Sequence, residues 1–369
     1  MRVPGAELPA LPVSDRAVRD RHLLALPADV LGEEVEALAL SRFTAAGWDA
    51  DAAAGLARTT AGGRGARGSG TARGSGTARV LRLSRHSRLV GPYALGQGGA
   101  AALGLPPSSA TAFVVETPTE RGAPPYPGGD RDGLKRAFPA GMPIRDEERV
   151  VHWLVAAARR LGGAIRVGGT GVVLVPDPHA LIDLTIFTDA WLEPEQALGV
   201  MQRVTPRARL AMDAVPWGGP PAGTGERSLV ERLGGTGVPA LDEQELWSLH
   251  TQADAYDIAA LSQPEERTGY GVLTSLEVDG LLALEVSWGE PAPFVLRGVD
   301  WAQQGVVAYR VRWAPPDFEE LELERPSFAH KVARGRVQPL VSALTRELHA
   351  VVGGEITDAS EFLVHPAHL

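Results

Sequence analysis

Side chains that could do metal or thiol chemistry are few in this 369-residue sequence. Cysteine is absent, which excludes disulfides, thiolate metal sites and thiol catalysis. His179 follows Asp177, while His365 and His368 lie some 190 residues further on. These residues could share a metal ion only if both segments meet in the fold, and the H-E-x-x-H pattern does not occur. We favour the interpretation that these histidines are solvated residues of a loop and of the chain end. We therefore expect no metal and no cofactor.

Two further patterns are compatible with catalysis or nucleotide binding, and both are weak. Ser84, His86 and Ser87 are neighbours in sequence, but a catalytic triad is assembled in space, and no G-x-S-x-G turn is present.

A glycine-rich stretch also fits a dinucleotide-binding pattern. Gly96, Gly98 and Ala101 match G-x-G-x-x-A, and Glu116 ends the next strand. The preceding segment contains Gly91 and Pro92, which suits a buried parallel strand poorly. A Gly/Ala loop without a nucleotide is the favoured interpretation.

The clearest concentration of charge is basic. From Arg58 to Arg88 the sequence has eight arginines and no acidic residue. Such segments can bind phosphate groups, so four arginines become candidate anion contacts: Arg79, Arg82, Arg85 and Arg88. Aromatic residues that could stack on bases are missing from this stretch, and the net charge of the whole chain is −9. Nucleic-acid contact is therefore kept as an alternative and a solvated linker is favoured.

Tryptophans near predicted strand ends are the candidate interaction surface. Trp288, Trp301 and Trp313 fall in the last third of the chain. Most tryptophans in such positions pack at the core, but tryptophan is also enriched where proteins bind partners.

A repeated unit organises the elements that must carry these residues. Apolar residues recur at three- and four-residue steps from residue 150 to 161 and predict an amphipathic helix, which Asp146 can cap and Gly162-Gly163 ends. A strand follows. A second helix ends at Gly353-Gly354, again before a strand. We therefore predict an α+β fold with mixed or antiparallel sheets and packed helices, built as a pseudo-dimer of two duplicated halves.

Composition predicts where these halves begin and end. The sequence ARGSGT occurs twice in succession from residue 66, which is typical of a flexible linker, and we expect the folded body to begin near residue 110. The predicted segments are a poorly specified lead-in (1–60), the linker (61–80), a transition (81–110), the first half (111–215), a Gly/Pro-rich connection (216–240) and the second half (241–369).

The segments RVVHWLVAAARRLGGAIR, DLTIFTDAWLEPEQAL and LHAVVGGEITDASEFLV resemble an actinobacterial protein family of unknown function with helix–Gly-Gly–strand repeats. The resemblance covers residues 110–369, and it implies no activity and no site residue.

No apolar run approaches the ~20 residues of a membrane helix, and no secretory signal is recognised, so we expect a cytoplasmic protein. The leading hypothesis is a non-enzymatic protein that acts through protein–protein contact. The alternative is an enzyme or small-ligand binder that uses a cleft between the two halves. A deep pocket with converging His, Asp or Arg side chains would favour this alternative.

Overall fold

Two antiparallel β-sheets with packed helices make this an α+β protein, as the sequence predicts. The computed structural model describes residues 8–49, 78–211 and 269–369. The repeated ARGSGT segment, the 216–240 connection and a helix expected at 242–261 lie outside these ranges.

The first sheet has seven strands in the order β2-β3-β4-β5-β1-β6-β7. Helices α2 and α5 belong to the apolar cluster on one face of the sheet, and the segments around α1 and α3 contribute to the cluster on the other. The strands are β1 (His22–Leu26), β2 (Gly47–Asp49), β3 (Arg79–Arg82), β4 (Arg88–Ala94), β5 (Thr111–Glu116), β6 (Ala164–Arg166) and β7 (Val173–Leu174), and the helices are α1 (Arg16–Arg19), α2 (Gly32–Leu40), α3 (Gly96–Ala102), α4 (Leu134–Ala137) and α5 (Arg145–Arg160).

The second sheet has six strands in the order β13-β8-β12-β11-β10-β9, with two helices on one face. Its elements are β8 (Leu184–Thr188), α6 (Pro194–Val204), β9 (Arg209–Leu210), β10 (Gly269–Ser275), β11 (Leu281–Glu290), β12 (Val306–Ala314), α7 (Phe328–Val352) and β13 (Glu355–Asp358). Helix α7 continues through Pro339, where the sequence predicts a break. The residue four positions earlier is Gly335, and a Cβ built there would meet no atom within 4 Å.

The expectation that the folded body begins near residue 110 is wrong. Strand β1 lies at the centre of the first sheet, between β5 and β6, and all five of its residues are buried. Its sequence, HLLAL, lacks the alternation of a half-exposed strand because both faces of the sheet are covered. Strands β2, β3 and β4 also precede residue 110.

The expected boundary between the halves near 215 also differs from the sheets. Strand β8 pairs with β12 and β13 of the second sheet, so the described sheets separate between β7 and β8. Helix α6 also packs against α7.

With this boundary the two halves have the same topology within the described residues. Eight elements of each half correspond in chain order. In the first half they are β1-α2-β2-β3-β4-β5-α5-β6, and in the second half they are β8-α6-β9-β10-β11-β12-α7-β13. Corresponding strands have the same neighbours in the two sheets. Two further short helices, α3 and α4, are insertions in the first half. That both halves descend from one duplicated segment stays a prediction.

The paired glycines match in detail. Gly162 and Gly353 have positive φ angles of 62° and 65°. A Cβ on Gly163 would lie 2.5 Å from the carbonyl oxygen of Ala25, and one on Gly354 would lie 2.2 Å from that of Phe187. Ala25 and Phe187 are each the fourth residue of the first strand of their half. The first glycine reverses the chain, and the second lets the next strand approach its neighbour.

The halves are joined by the turn at residues 358–364, which we call the C-terminal turn. Its Phe362 is fully buried and packs in the core of the first half, although it follows the second sheet. Arg42 and Arg160, both from the first half, donate hydrogen bonds to backbone carbonyl oxygens of the turn. Phe362 is therefore an apolar anchor between the two cores, with polar contacts around it.

Candidate functional site

A cleft of about 360 Å³ lies where α5 of the first half meets α7 and the C-terminal turn, and we call it the inter-half cleft. Pockets for small molecules typically start at about this size. The lining side chains that carry polar groups are Arg159, Arg160, Asp183, Gln338, Ser342, Asp358, Ser360 and His368.

Arg159 is the most unusual of these residues because it is charged and only 8% exposed. Its Nη2 forms an ion pair with Asp132, and its Nη1 lies 3.4 Å from Ser360 Oγ. Its Nε is buried and has no hydrogen-bond partner among the described residues. Buried donors without partners are rare, and each calls for an explanation such as a bound ligand or water.

Arg160 follows in the last turn of α5, where the helix dipole favours a positive charge. Its guanidinium lies 3.5 Å from Asp358 Oδ2 and 3.4 Å from the carbonyl oxygen of Leu363. Both distances are long for hydrogen bonds, so the five donors of this side chain are poorly used within the protein.

Two partly buried carboxyl groups complete the cleft. Burial raises the pKa of Asp183, and the N–H of Trp313, 3.0 Å from Oδ1, opposes this only in part. Burial also raises the pKa of Asp358, against the N–H groups of Ser360 and Phe362 that donate to it. Asp358 therefore accepts backbone N–H groups that build the C-terminal turn, and it also lies 3.5 Å from Arg160.

The equivalent corner of the first half contains a buried His–Glu pair. Counting back from the second glycine, Gln338 of the cleft corresponds to Glu147, and Leu184 corresponds to His22. His22 Nδ1 accepts the N–H of Gly168 at 3.1 Å, so its Nε2 carries the proton and donates to Glu147 Oε1, also at 3.1 Å. Both ring nitrogens are engaged, and His22 has no free lone pair for general base catalysis.

Glu147 is satisfied on all sides. Burial opposes its ionisation, but hydrogen bonds from His22, the backbone N–H of Glu120 and Arg121 outweigh burial and lower its pKa. These hydrogen bonds hold an ionised Glu147 inside the core of the first half.

The four candidate anion contacts lie on β3, β4 and the turn between them. Arg79 stacks on Trp48, with its Cζ 3.9 Å from the ring centroid, and faces Glu33 at 3.9 Å. Arg82 lies 3.4 Å from Asp49, and Arg88 pairs with Glu116 at 2.5 Å. Arg85 contacts only the ring of His86 among the described residues. The segment is therefore structured from residue 78, and three of its arginines have carboxylate partners.

The three tryptophans do not form one surface. Trp313 is 5% exposed, and its Nε1–H donates to the carbonyl oxygen of Asp279, so its assignment to an interaction surface is wrong. It points inward because the covered face of the second sheet packs against α7. Trp301 is half-buried against a small apolar cluster, and Trp288 is 48% exposed.

The weaker patterns have structural explanations. Gly96, Gly98 and Ala101 belong to α3, which follows β4, and β4 pairs antiparallel with β5, so no parallel βαβ unit exists there. Ser84 and Ser87 both donate to Asp146 and not to His86. Asp146 does not cap α5, which begins one residue earlier.

Arg159, Arg160 and Asp358 were not singled out in the sequence. A signal existed, because the residues that correspond to Arg159 and Arg160 before the second glycine pair are Ala350 and Val351. Of the two corresponding helix ends, only the one in the first half carries these charges.

Comparison with protein-family models, curated proteins and solved structures finds no match for the chain. Among the described residues no helix is long and apolar enough to span a membrane, and no group of three His, Asp or Glu residues could hold a metal ion.

Proposed function

We propose that this protein binds a small molecule carrying a carboxylate or phosphate group in the inter-half cleft. The observation that carries the proposal is the guanidinium of Arg159, which lines a cleft of about 360 Å³ beside a second guanidinium, that of Arg160. Arg160 adds poorly used donors beside it. Guanidinium groups match carboxylate and phosphate oxygens in geometry as well as in charge.

The buried carboxyl groups of Asp183 and Asp358 would set the selectivity. A ligand with a second anionic group near them would be repelled, whereas a hydroxyl or amine would be accepted. The proposed ligand is therefore a monoanion with a polar, uncharged or cationic remainder. The proposal assigns ligand binding to the cleft and does not assign a reaction. The cytoplasmic location of the protein stays a prediction.

A thermal-shift panel of small carboxylates and phosphate monoesters tests this proposal. A ligand that binds only the folded protein raises the melting temperature, and at a given concentration a tighter ligand raises it more. We expect at least one class to stabilise the wild type but not Arg160→Gln. Arg207→Gln, which removes an exposed charge far from the cleft's lining, is the matched control and should respond as wild type does. Equal responses of both variants would contradict the proposal.

Protein–protein contact remains the second candidate, and the exposed ring of Trp288 is the observation that favours it. Half-exposed tryptophans are typical of binding hot spots. A second copy of this chain is the partner that purified protein can test. Sedimentation of wild type and Trp288→Ala should show self-association that the substitution weakens, and a wild-type monomer at all concentrations would retire self-association through this ring.

A further inference from the structure

The first half has two neighbouring pockets at the corner where β1 begins and β5 ends. One, of about 270 Å³, is lined by Arg21 and Arg121, by Asp20 and His22, and by Thr117, Thr119 and the Gly168-Gly169 turn. The other, of about 410 Å³, lies along the turn between β3 and β4. Thr117 lines both pockets, so they adjoin. Neither contains a residue of the inter-half cleft.

The arginines of the smaller pocket are held in place from outside it. Arg21 Nη1 pairs with Glu116 Oε1, and Arg121 Nη1 pairs with Glu147 Oε1. Arg121 also stacks on Phe138, with its Cζ 4.6 Å from the ring centroid. These contacts hold each guanidinium in place but use only a few of its five N–H donors. The remaining N–H donors can bind a ligand.

The larger pocket continues the positive charge. It is lined by Arg82, Arg85 and Arg88 and by two carboxylates, Asp49 and Glu116. Arg82 lies 3.4 Å from Asp49, whereas Arg88 shares Glu116 with Arg21. Arg85 has no carboxylate partner among the described residues. Three arginines and two carboxylates therefore line this pocket, and positive charge is in excess.

We infer that this corner is a second binding site, for a small molecule that carries two or more linked phosphate groups. The donors of the smaller pocket come from separate elements, as a tetrahedral phosphate needs and a planar carboxylate does not. A second phosphate would meet the arginines of the larger pocket across Thr117. The absence of stacking aromatics from the 58–88 stretch favours a small ligand over a nucleic-acid strand.

Calorimetric titration with inorganic tripolyphosphate at low ionic strength tests this inference. We expect saturable binding, weaker by about tenfold or more in Arg21→Gln and in Arg85→Gln, because each loses a charged hydrogen-bond donor. Orthophosphate, which fills one pocket only, should bind more weakly. Arg207→Gln and the cleft variant Arg160→Gln should match wild type, which separates this site from the proposed function.

Three results would overturn the inference. The first is the absence of saturable heat with the wild type. The second is an Arg85→Gln variant that weakens binding no more than Arg207→Gln does, which would indicate diffuse attraction without a site. Displacement of tripolyphosphate by a single-stranded oligonucleotide at equal phosphate concentration would overturn the small-ligand assignment.

Discussion

The start of β1 and the start of β8 occupy equivalent corners of two sheets that share one strand order, but their chemistry differs. In the first half His22 and Glu147 form a buried pair that both Gly168 and Arg121 complete. In the second half the corresponding positions are Leu184 and Gln338, and the corner opens into the inter-half cleft. The two halves therefore share a backbone framework that a few glycine and strand contacts define. The polar groups at the equivalent corners of this framework differ between the halves.

The largest expected effect concerns how the halves are coupled. After β6 the chain returns to its own sheet as β7, but after β13 it sends Phe362 into the core of the other half. Phe362→Ala should lower the free energy of unfolding by about 3–5 kcal/mol, because a fully buried ring is lost. Chemical denaturation followed by circular dichroism measures this loss. Leu363→Ala, at a neighbouring residue that is 44% exposed, is the control. Equally small losses of unfolding free energy in Phe362→Ala and Leu363→Ala would show that the C-terminal turn does not anchor the two halves.

The glycine pairs test whether the two frameworks are equivalent. Gly354→Ala combines a positive φ with a clash against the Phe187 carbonyl and should cost about 2–4 kcal/mol. Gly163→Ala meets the clash without that φ and should cost about 1–3 kcal/mol. Gly162→Ala and Gly353→Ala face open space and should each cost about 1–2 kcal/mol. Thermal denaturation of the four variants gives the order. Unequal losses at Gly162 and Gly353 would break the equivalence.

The buried carboxyl groups should respond with opposite sign. Glu147→Gln should destabilise the protein by about 1–3 kcal/mol at neutral pH, because Arg121 loses its ionised partner. Asp183→Asn should leave stability unchanged or raise it slightly, because burial disfavours its charge and an amide oxygen can still accept the N–H of Trp313.

The pH dependence of these two differences follows from the pKa shifts. The pKa of Glu147 is lowered in the folded state, so its contribution is present above the unfolded pKa and is lost as the pH falls through the folded value. The pKa of Asp183 is raised, so its ionisation destabilises the folded state above that value, and the penalty vanishes as the pH falls. Denaturation of both variants from pH 7 to pH 3 should show both differences shrinking. A Glu147→Gln deficit that is as large at pH 3 as at pH 7 would contradict the assignment.

Local patterns predicted much of the framework and little of the site. The apolar periodicity of α5 and the glycines that end it are short-range signals, and the structure confirms them. Strand β1 was missed because HLLAL is too short and uniform to show a period. The cleft was foreseen only as a possibility, because Arg159 and Ser360 are 201 residues apart in sequence and meet only through the packing of the halves.

The central claim, that the inter-half cleft is a ligand site, is tested most directly by calorimetry with the strongest compound from the thermal-shift panel. The account predicts one saturable site per chain, with affinity reduced about tenfold or more in Arg160→Gln and unchanged in Arg207→Gln. Binding that survives Arg160→Gln undiminished, or no saturable binding by any carboxylate or phosphate monoester, would contradict it.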